Sequence, residues 1–137
     1  MLQRPAALTG DDNGRLFVSD TSRGAVFLFD GNAGELQVWE RATASKRFVA
    51  PSGMALAPEG GLYVADAELG TVLRLDARGE PVAEIGAGLL KRPTGLARDP
   101  QRGLLYVDDT YAHDIKVFGD DGVLQIVIGR RGSGDGE

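Results

Sequence analysis

Apolar and polar residues alternate along this chain in short runs, without the three-and-four spacing of a long amphipathic helix. The clearest run is Leu62-Tyr63-Val64-Ala65-Asp66, and it returns as Leu16-Phe17-Val18-Ser19-Asp20 and Leu105-Tyr106-Val107-Asp108-Asp109. The three Asp residues recur with a period of about 45 residues, in the range that marks stacked supersecondary units. Successive strand side chains point to opposite faces, so Leu62 and Val64 share one face and Tyr63 takes the other. Both faces are apolar, which predicts a strand covered on both sides. The middle copy finds neighbours within the chain, whereas the outer copies, at Val18 and Val107, each lack one.

Aligning the units on their Asp residues predicts four antiparallel strands in each. Every unit opens on a Pro, at Pro5, Pro51 and Pro93, a residue that fits the first position of a strand because it has no backbone donor. Turns rich in Gly, Pro, Asn and Asp follow at 11–14, 58–61 and 99–103, and the repeated run is the second strand. Val26, Val72 and Ile115 then start a third strand in the same register, after connections that end near Gly24, Gly70 and His113. Further turns lead to fourth strands at Leu36–Trp39, Val82–Ile85 and Leu124–Ile128. Four short strands in about 40–45 residues make one propeller blade. The expected fold is all-β, with blades at approximately 1–46, 47–88 and 89–137. Segment 40–46 reads as a linker, and the glycine-rich tail 129–137 as a connection leading towards a further strand.

Composition agrees with this picture and excludes several functions. Twenty Gly and six Pro with 7% aromatic residues favour many tight turns over long helices. A net charge of −5 gives no global positive field for nucleic acid. No cysteine is present, which removes disulfides, thiolate catalysis and cysteine-bound zinc. No apolar run approaches the length of a membrane span. Met1-Leu2-Gln3-Arg4-Pro5 lacks the apolar core of a secretion signal, and both a cytoplasmic protein and one exported after processing fit.

Taken in order, the motifs resemble NHL repeats, a family of six-bladed β-propellers. The third unit matches best, through Pro93-Thr94-Gly95-Leu96-Ala97, Leu105-Tyr106-Val107-Asp108-Asp109, His113, Ile115-Lys116-Val117-Phe118, Gly122 and Ile128-Gly129. The resemblance implies half of a six-bladed ring. The basic residue that the family often places before the third strand is Ala25, Thr71 and Asp114 here. Three blades cannot close a ring, so the first and last would each expose an apolar face. Two arrangements would cover them: a homodimer packed head to tail, or further blades of a longer parent chain.

Asp20, Asp66 and Asp109 stand at strand ends, where a short carboxylate accepts bonds from the amides of the next turn. That suggests structural turn carboxylates. The expected ligand-binding face carries loops 21–25, 67–71 and 110–114, with Arg23, Glu68, Tyr111, His113 and Asp114, for a protein or small ligand. Asp109, His113 and Asp114 form the densest group of potential metal ligands, so the alternative is a calcium- or zinc-dependent hydrolase or lactonase of the propeller type. Against it, the gluconolactonase-type propellers carry metal ligands where this chain has Ala6, Ser52 and Thr94, and His113 has no serine partner for a nucleophilic triad. Charge is expected to be two-sided: the first and third turns are acid-rich, while Arg4, Arg41, Lys46, Arg47, Lys91, Arg92, Arg130 and Arg131 gather on the inter-blade connections. Single-stranded RNA on that basic face is a second alternative, weakened because Tyr111 is the one obvious stacking platform. The favoured reading is a binding or scaffold module without catalysis or cofactor.

Overall fold

The computed structural model describes residues 2–129, so all of the expected connector at 129–137 after Gly129, with Arg130 and Arg131, lies outside the described residues. Twelve strands form three four-stranded antiparallel sheets, each a meander of consecutive strands. Blade one contains β1 (Pro5–Gly10), β2 (Arg15–Asp20), β3 (Ala25–Asp30) and β4 (Glu35–Trp39). Blade two contains β5 (Pro51–Leu56), β6 (Leu62–Asp66), β7 (Thr71–Leu75) and β8 (Pro81–Ile85). Blade three contains β9 (Pro93–Asp99), β10 (Leu104–Asp109), β11 (Asp114–Gly119) and β12 (Leu124–Ile128). The first strands β1, β5 and β9 lie side by side. Short 3-10 turns at Pro58–Gly60 and Thr110–Ala112 are the only helical pieces among the described residues.

Strand periodicity decides which side chains fill which seam. On β6, Leu62 and Val64 pair in register with Leu75 and Leu73 on β7, making one apolar face. That front face meets Phe17, Val26, Leu28 and Trp39 of blade one. Tyr63, Ala65 and Val72 point the other way and meet Leu105, Val107 and Phe118 of blade three. Every residue of β6 is buried, as a strand covered on both sides requires. Phe17 and Trp39 pack at 5.6 Å between ring centroids in a tilted arrangement, a geometry that adds to simple area burial.

The outer blades are less symmetric than the alternation predicts. Leu16 and Val18 do face away from blade two, with Phe27, Phe29, Leu36 and Leu2 around an apolar hollow of about 280 Å³. Val107, however, is fully buried against blade two. The bare face of blade three carries Tyr106, Asp108 and Ile115 instead. The reason is handedness: all blades turn the same face forward, so the repeated Val loses its cover only in the first, where Val18 is half-buried while Val64 and Val107 are fully buried.

Linker 40–46 is a closed turn rather than an extended connection. Arg41 pairs with Arg47 in an isolated bridge, the Thr43 hydroxyl accepts the amides of Ser45 and Lys46, and Ala42 is wholly buried.

Blade contact is closest along the inner strands. A Cβ added at Gly53 on β5 would stand 2.4 Å from the Thr94 carbonyl oxygen on β9, so Gly53→Ala must push these backbones apart. We expect it to cost about 1–3 kcal/mol in urea unfolding, whereas Gly10→Ala, whose added carbon meets nothing nearer than 3.6 Å, changes stability by less than about 0.5 kcal/mol.

Candidate functional site

The three repeated carboxylates sit where one blade's second strand, its following turn and the incoming linker converge. Asp66 accepts the amides of Val49 at 2.8 Å and Ala50 at 3.0 Å from the linker, and those of Glu68 at 3.1 Å and Leu69 at 3.0 Å from its own turn. Asp20 does the same with Gln3, Arg4 and Arg23. Burial pushes the Asp20 carboxyl up, but these amides outweigh it and hold the group below the ordinary carboxylate range. The following-turn contacts are local and legible from sequence. The linker contacts span 16 or 17 residues and have no local signature.

Asp109 departs from the pattern. It takes the linker amides of Lys91 and Arg92, but its remaining partner is the Lys116 ammonium at 2.9 Å. Lys116 also donates to both oxygens of Asp114, at 2.8 and 3.0 Å, and all three side chains are buried. The register explains how Lys116 reaches this place. It stands opposite Val107, where blades one and two carry Phe27 opposite Val18 and Leu73 opposite Val64. A lysine thus enters an apolar seam and finds two carboxylates there. Asp114 opens the third strand, at the place where the family often has a basic residue, and the cation stands two residues later.

This ion triad bears directly on the expected metal ligands. Asp109 and Asp114 both spend carboxylate oxygens on Lys116, so a divalent cation between them would have to displace an ammonium. His113 adopts a left-handed backbone (φ 57°), the conformation that blades one and two assign to Gly24 and Gly70. Among the described residues, no group of three or more His, Asp or Glu is arranged to hold a metal ion.

The other expected ligand-face residues divide between two seams. At the seam of blades two and three, Arg92 bonds Glu68 at 3.1 Å, and its guanidinium lies 5.3 Å from the centre of the Tyr111 ring. Arg92 thus joins two predicted residues, a link that spacing alone does not reveal. Arg23 lies apart from them, at the seam of blades one and two, in a cleft with Lys46 and Arg47. The expected two-sided charge is partly cancelled. Arg41 pairs with Glu80 from the acid-rich third turn of blade two, and Arg47 pairs with Glu40. Strand twist brings the outer edge of one blade across the opposite end of the next; the same crossing places Gly79 against Trp39.

On the acid-rich side, Asp120 accepts from Tyr63 Oη at 3.0 Å and from Arg98 at 2.6 and 3.1 Å. The Arg98 guanidinium is the main reason that the Asp120 carboxyl lies below its ordinary range. Arg15 bridges blades one and two on this side through the carbonyls of Gly60 and Ala77.

The triad predicts a pH signature. Burial pushes the Asp109 carboxyl up, but the Arg92 amide, the Lys116 ammonium and the Lys91 amide hold it below the ordinary carboxylate range. Its stabilising contribution is therefore present above that range and lost as pH falls through the lowered value. Burial pushes Lys116 down, but Asp114 and then Asp109 hold it above the ordinary lysine range, so its contribution persists below that range and is lost as pH rises through the raised value. Lys116→Met leaves two buried carboxylates facing each other and is expected to cost about 3–5 kcal/mol at neutral pH. Urea midpoints taken between about pH 4 and about pH 10 should show the deficit of Lys116→Met narrowing as pH falls and protonation relieves the facing carboxylates, and its alkaline loss reduced. Parallel profiles for the two proteins would contradict this assignment.

Comparison with known proteins completes the description. A scan against protein-family models finds no match. NHL repeat-containing protein 2 of Gallus gallus is 32% identical, over 72% of this chain and 17% of that protein. The Homo sapiens form is 30% identical, over 77% of this chain and 18% of its own length. The chain thus spans less than a fifth of these relatives. Among solved structures, Kuenenia stuttgartiensis hydrazine synthase superposes with a TM-score of 0.77 at 24% identity, over 97% of this chain and 38% of that one. Virginiamycin B lyase from Staphylococcus aureus gives 0.73 at 14% identity, over 97% and 43%. At these identities the superpositions speak for the fold alone, while the repeated motifs, the three-blade architecture and the sequence relatives agree: the chain belongs to the NHL-repeat β-propeller family.

Proposed function

We propose that this chain is a non-catalytic binding and scaffold module, a half propeller whose two bare blade faces are covered by a second copy of itself, packed head to tail into a six-bladed ring. The observation that carries this reading is the mismatch in burial between equivalent positions. Leu16 is 41% exposed, whereas Leu62 and Leu105 are fully buried. Phe29 is 43% exposed against 0% for Leu75 and Phe118. Leu2, in the linker before blade one, is 41% exposed, while Phe48 and Leu90 at the same place are 5% and 7%. On the far side Ile115 is 40% exposed, and Val26 and Val72 are fully buried.

The front of blade one therefore presents the apolar positions that blade two buries against its preceding blade, and that blade three buries with Lys116 in place of Phe27. The back of blade three presents Tyr106 where blades one and two bury Phe17 and Tyr63. A second copy offers both complements at once, and two such seams close the ring without a free face. A longer parent chain supplying three further blades would cover the same faces. One residue is out of pattern: Asp108 replaces Ser19 and Ala65, both fully buried. The closing seam would bury that carboxylate and so be weaker than the internal seams.

The metal-assisted hydrolase reading is set aside because Lys116 occupies the space between Asp109 and Asp114. The RNA reading is set aside because Tyr111 is already stacked under Arg92 and Arg41, Arg47 and Arg92 are ion-paired.

Sedimentation velocity tests the closure. The wild-type chain is expected to sediment as a dimer at micromolar concentration, Leu16→Glu as a folded monomer, and Asp108→Ala as a dimer at least about tenfold tighter, a gain of about 1.4 kcal/mol. A wild-type chain that is monomeric throughout, or an Asp108→Ala variant that associates more weakly, would overturn the arrangement.

A further inference from the structure

The two internal seams differ on the face that carries loops 21–25 and 67–71. At the second seam the space between linker and turn is filled from within the chain, by Glu68 reaching Arg92 and by Arg92 lying over Tyr111. The equivalent positions of the first seam follow from the carboxylate clamp. Arg92 and Ala50 both donate their amides to the clamping Asp of their blade, and their carbonyls accept from Thr110 and Ala67 in the same way. Glu68 stands two residues after Asp66, as Ser22 does after Asp20. The ion pair of the second seam is thus replaced in the first by Ser22 and Ala50, two side chains too short to meet.

What remains is a cleft of about 610 Å³ lined by Ser22, Arg23, Gly24, Lys46, Arg47, Phe48, Val49 and Leu69. Three of these side chains are cationic and none is a carboxylate. Of the lining cations, Arg47 is paired with Glu40 at 3.0 Å, and Glu68 is bonded to Arg92. Val49 is half exposed and, with Leu69, supplies an apolar wall. Gly24 lets the turn of blade one close on the linker: a Cβ there would come within 2.8 Å of the Phe48 carbonyl oxygen.

We infer that this cleft binds a small organic anion, a carboxylate or phosphate carried on a short apolar body. The anionic group stands beside Arg23 and Lys46, with Arg47 held by Glu40 at the border of the cleft, in the part that Glu68 plays one seam further on, and the apolar body lies on Val49 and Leu69. Charge complementarity selects the anion, and the apolar wall provides the surface that separates an organic anion from inorganic phosphate. This deepens the ligand-face reading above, but the cleft is built from blades one and two of a single chain and does not depend on ring closure.

The test uses the whole chain and four probes: hexanoate, hexyl phosphate, hexanol and inorganic phosphate, with affinities read from amide chemical shifts. Hexanoate and hexyl phosphate should bind with shifts centred on residues 22–24 and 46–49, and hexanol and inorganic phosphate at least about tenfold more weakly. Comparing the first two separates a carboxylate site from a phosphate site. The double variant Arg23→Gln, Lys46→Gln should lose about tenfold or more in affinity. The double variant Ser22→Glu, Ala50→Arg installs the second seam's ion pair and should abolish binding, with an unchanged thermal midpoint showing that the fold is kept. Hexanol binding as tightly as hexanoate would overturn the inference. So would unchanged affinity in a folded double variant, or tight binding of a single-stranded RNA oligomer with none of the small anions. Because monomer and dimer both contain the cleft, loss of dimerisation with retained anion binding would separate failure of the closure reading from failure of this one.

Discussion

The fold depends on one repeated interaction, the buried carboxylate that ends the second strand of each blade. A carboxylate that accepts three or four amides at once is among the strongest neutral-pH anchors available to a chain without disulfides. Here it ties together three segments distant in sequence: the strand, the turn beyond it and the linker from the preceding blade. The linker residues just ahead of the clamped amides are Phe48 and Leu90, and both are buried in the seams. The clamp therefore fixes the blade internally and also aims the apolar residue that joins it to its neighbour. Hydrophobic burial supplies the drive for stacking, while the carboxylate sets where each blade stands.

Variation on this plan is concentrated in the third blade. There the clamp recruits Lys116, the left-handed turn position is His113 rather than glycine, and the back face carries Asp108 in place of a small residue. Each change adds polarity to a place that the other blades keep apolar or small. The first seam varies in the opposite direction: Ser22 and Ala50 are shorter than Glu68 and Arg92, and an internal ion pair gives way to a cationic cleft. Repetition makes such departures readable, because each residue can be judged against two others in the same environment.

Much of this was legible in the sequence. The period of the Asp-ended run, the opening prolines and the glycine turns led to four-stranded blades, and alternation along Leu62-Tyr63-Val64 led to the correct opposed faces. Alternation also identified Val18 as facing away from the neighbouring blade, but extending the same idea to Val107 failed, because it ignores that successive blades stack in one direction. The chemistry of the third blade was less legible. Asp109, His113 and Asp114 were visible as a dense polar cluster, yet their environment is set by Lys116, whose sequence context is that of an ordinary strand lysine. Its signal was available in the alignment of the repeats, where a lysine stands in register with Phe27 and Leu73. Arg92 was visible as a linker cation, but its joining of Glu68 to Tyr111 arises only when two blades are packed. Local patterns report strands and turns; contacts across seams require the stack.

The central claim is that blades one and three each lack the neighbour that blade two possesses. Amide hydrogen exchange followed as a function of protein concentration tests it most directly, since local opening is cheaper where a sheet face is bare. The account predicts that amides of β2, β3, β10 and β11 exchange faster than those of β6 and β7 in dilute solution and slow as concentration rises, while β6 and β7 stay constant. Equal protection in all three blades, unchanged by concentration, would contradict it.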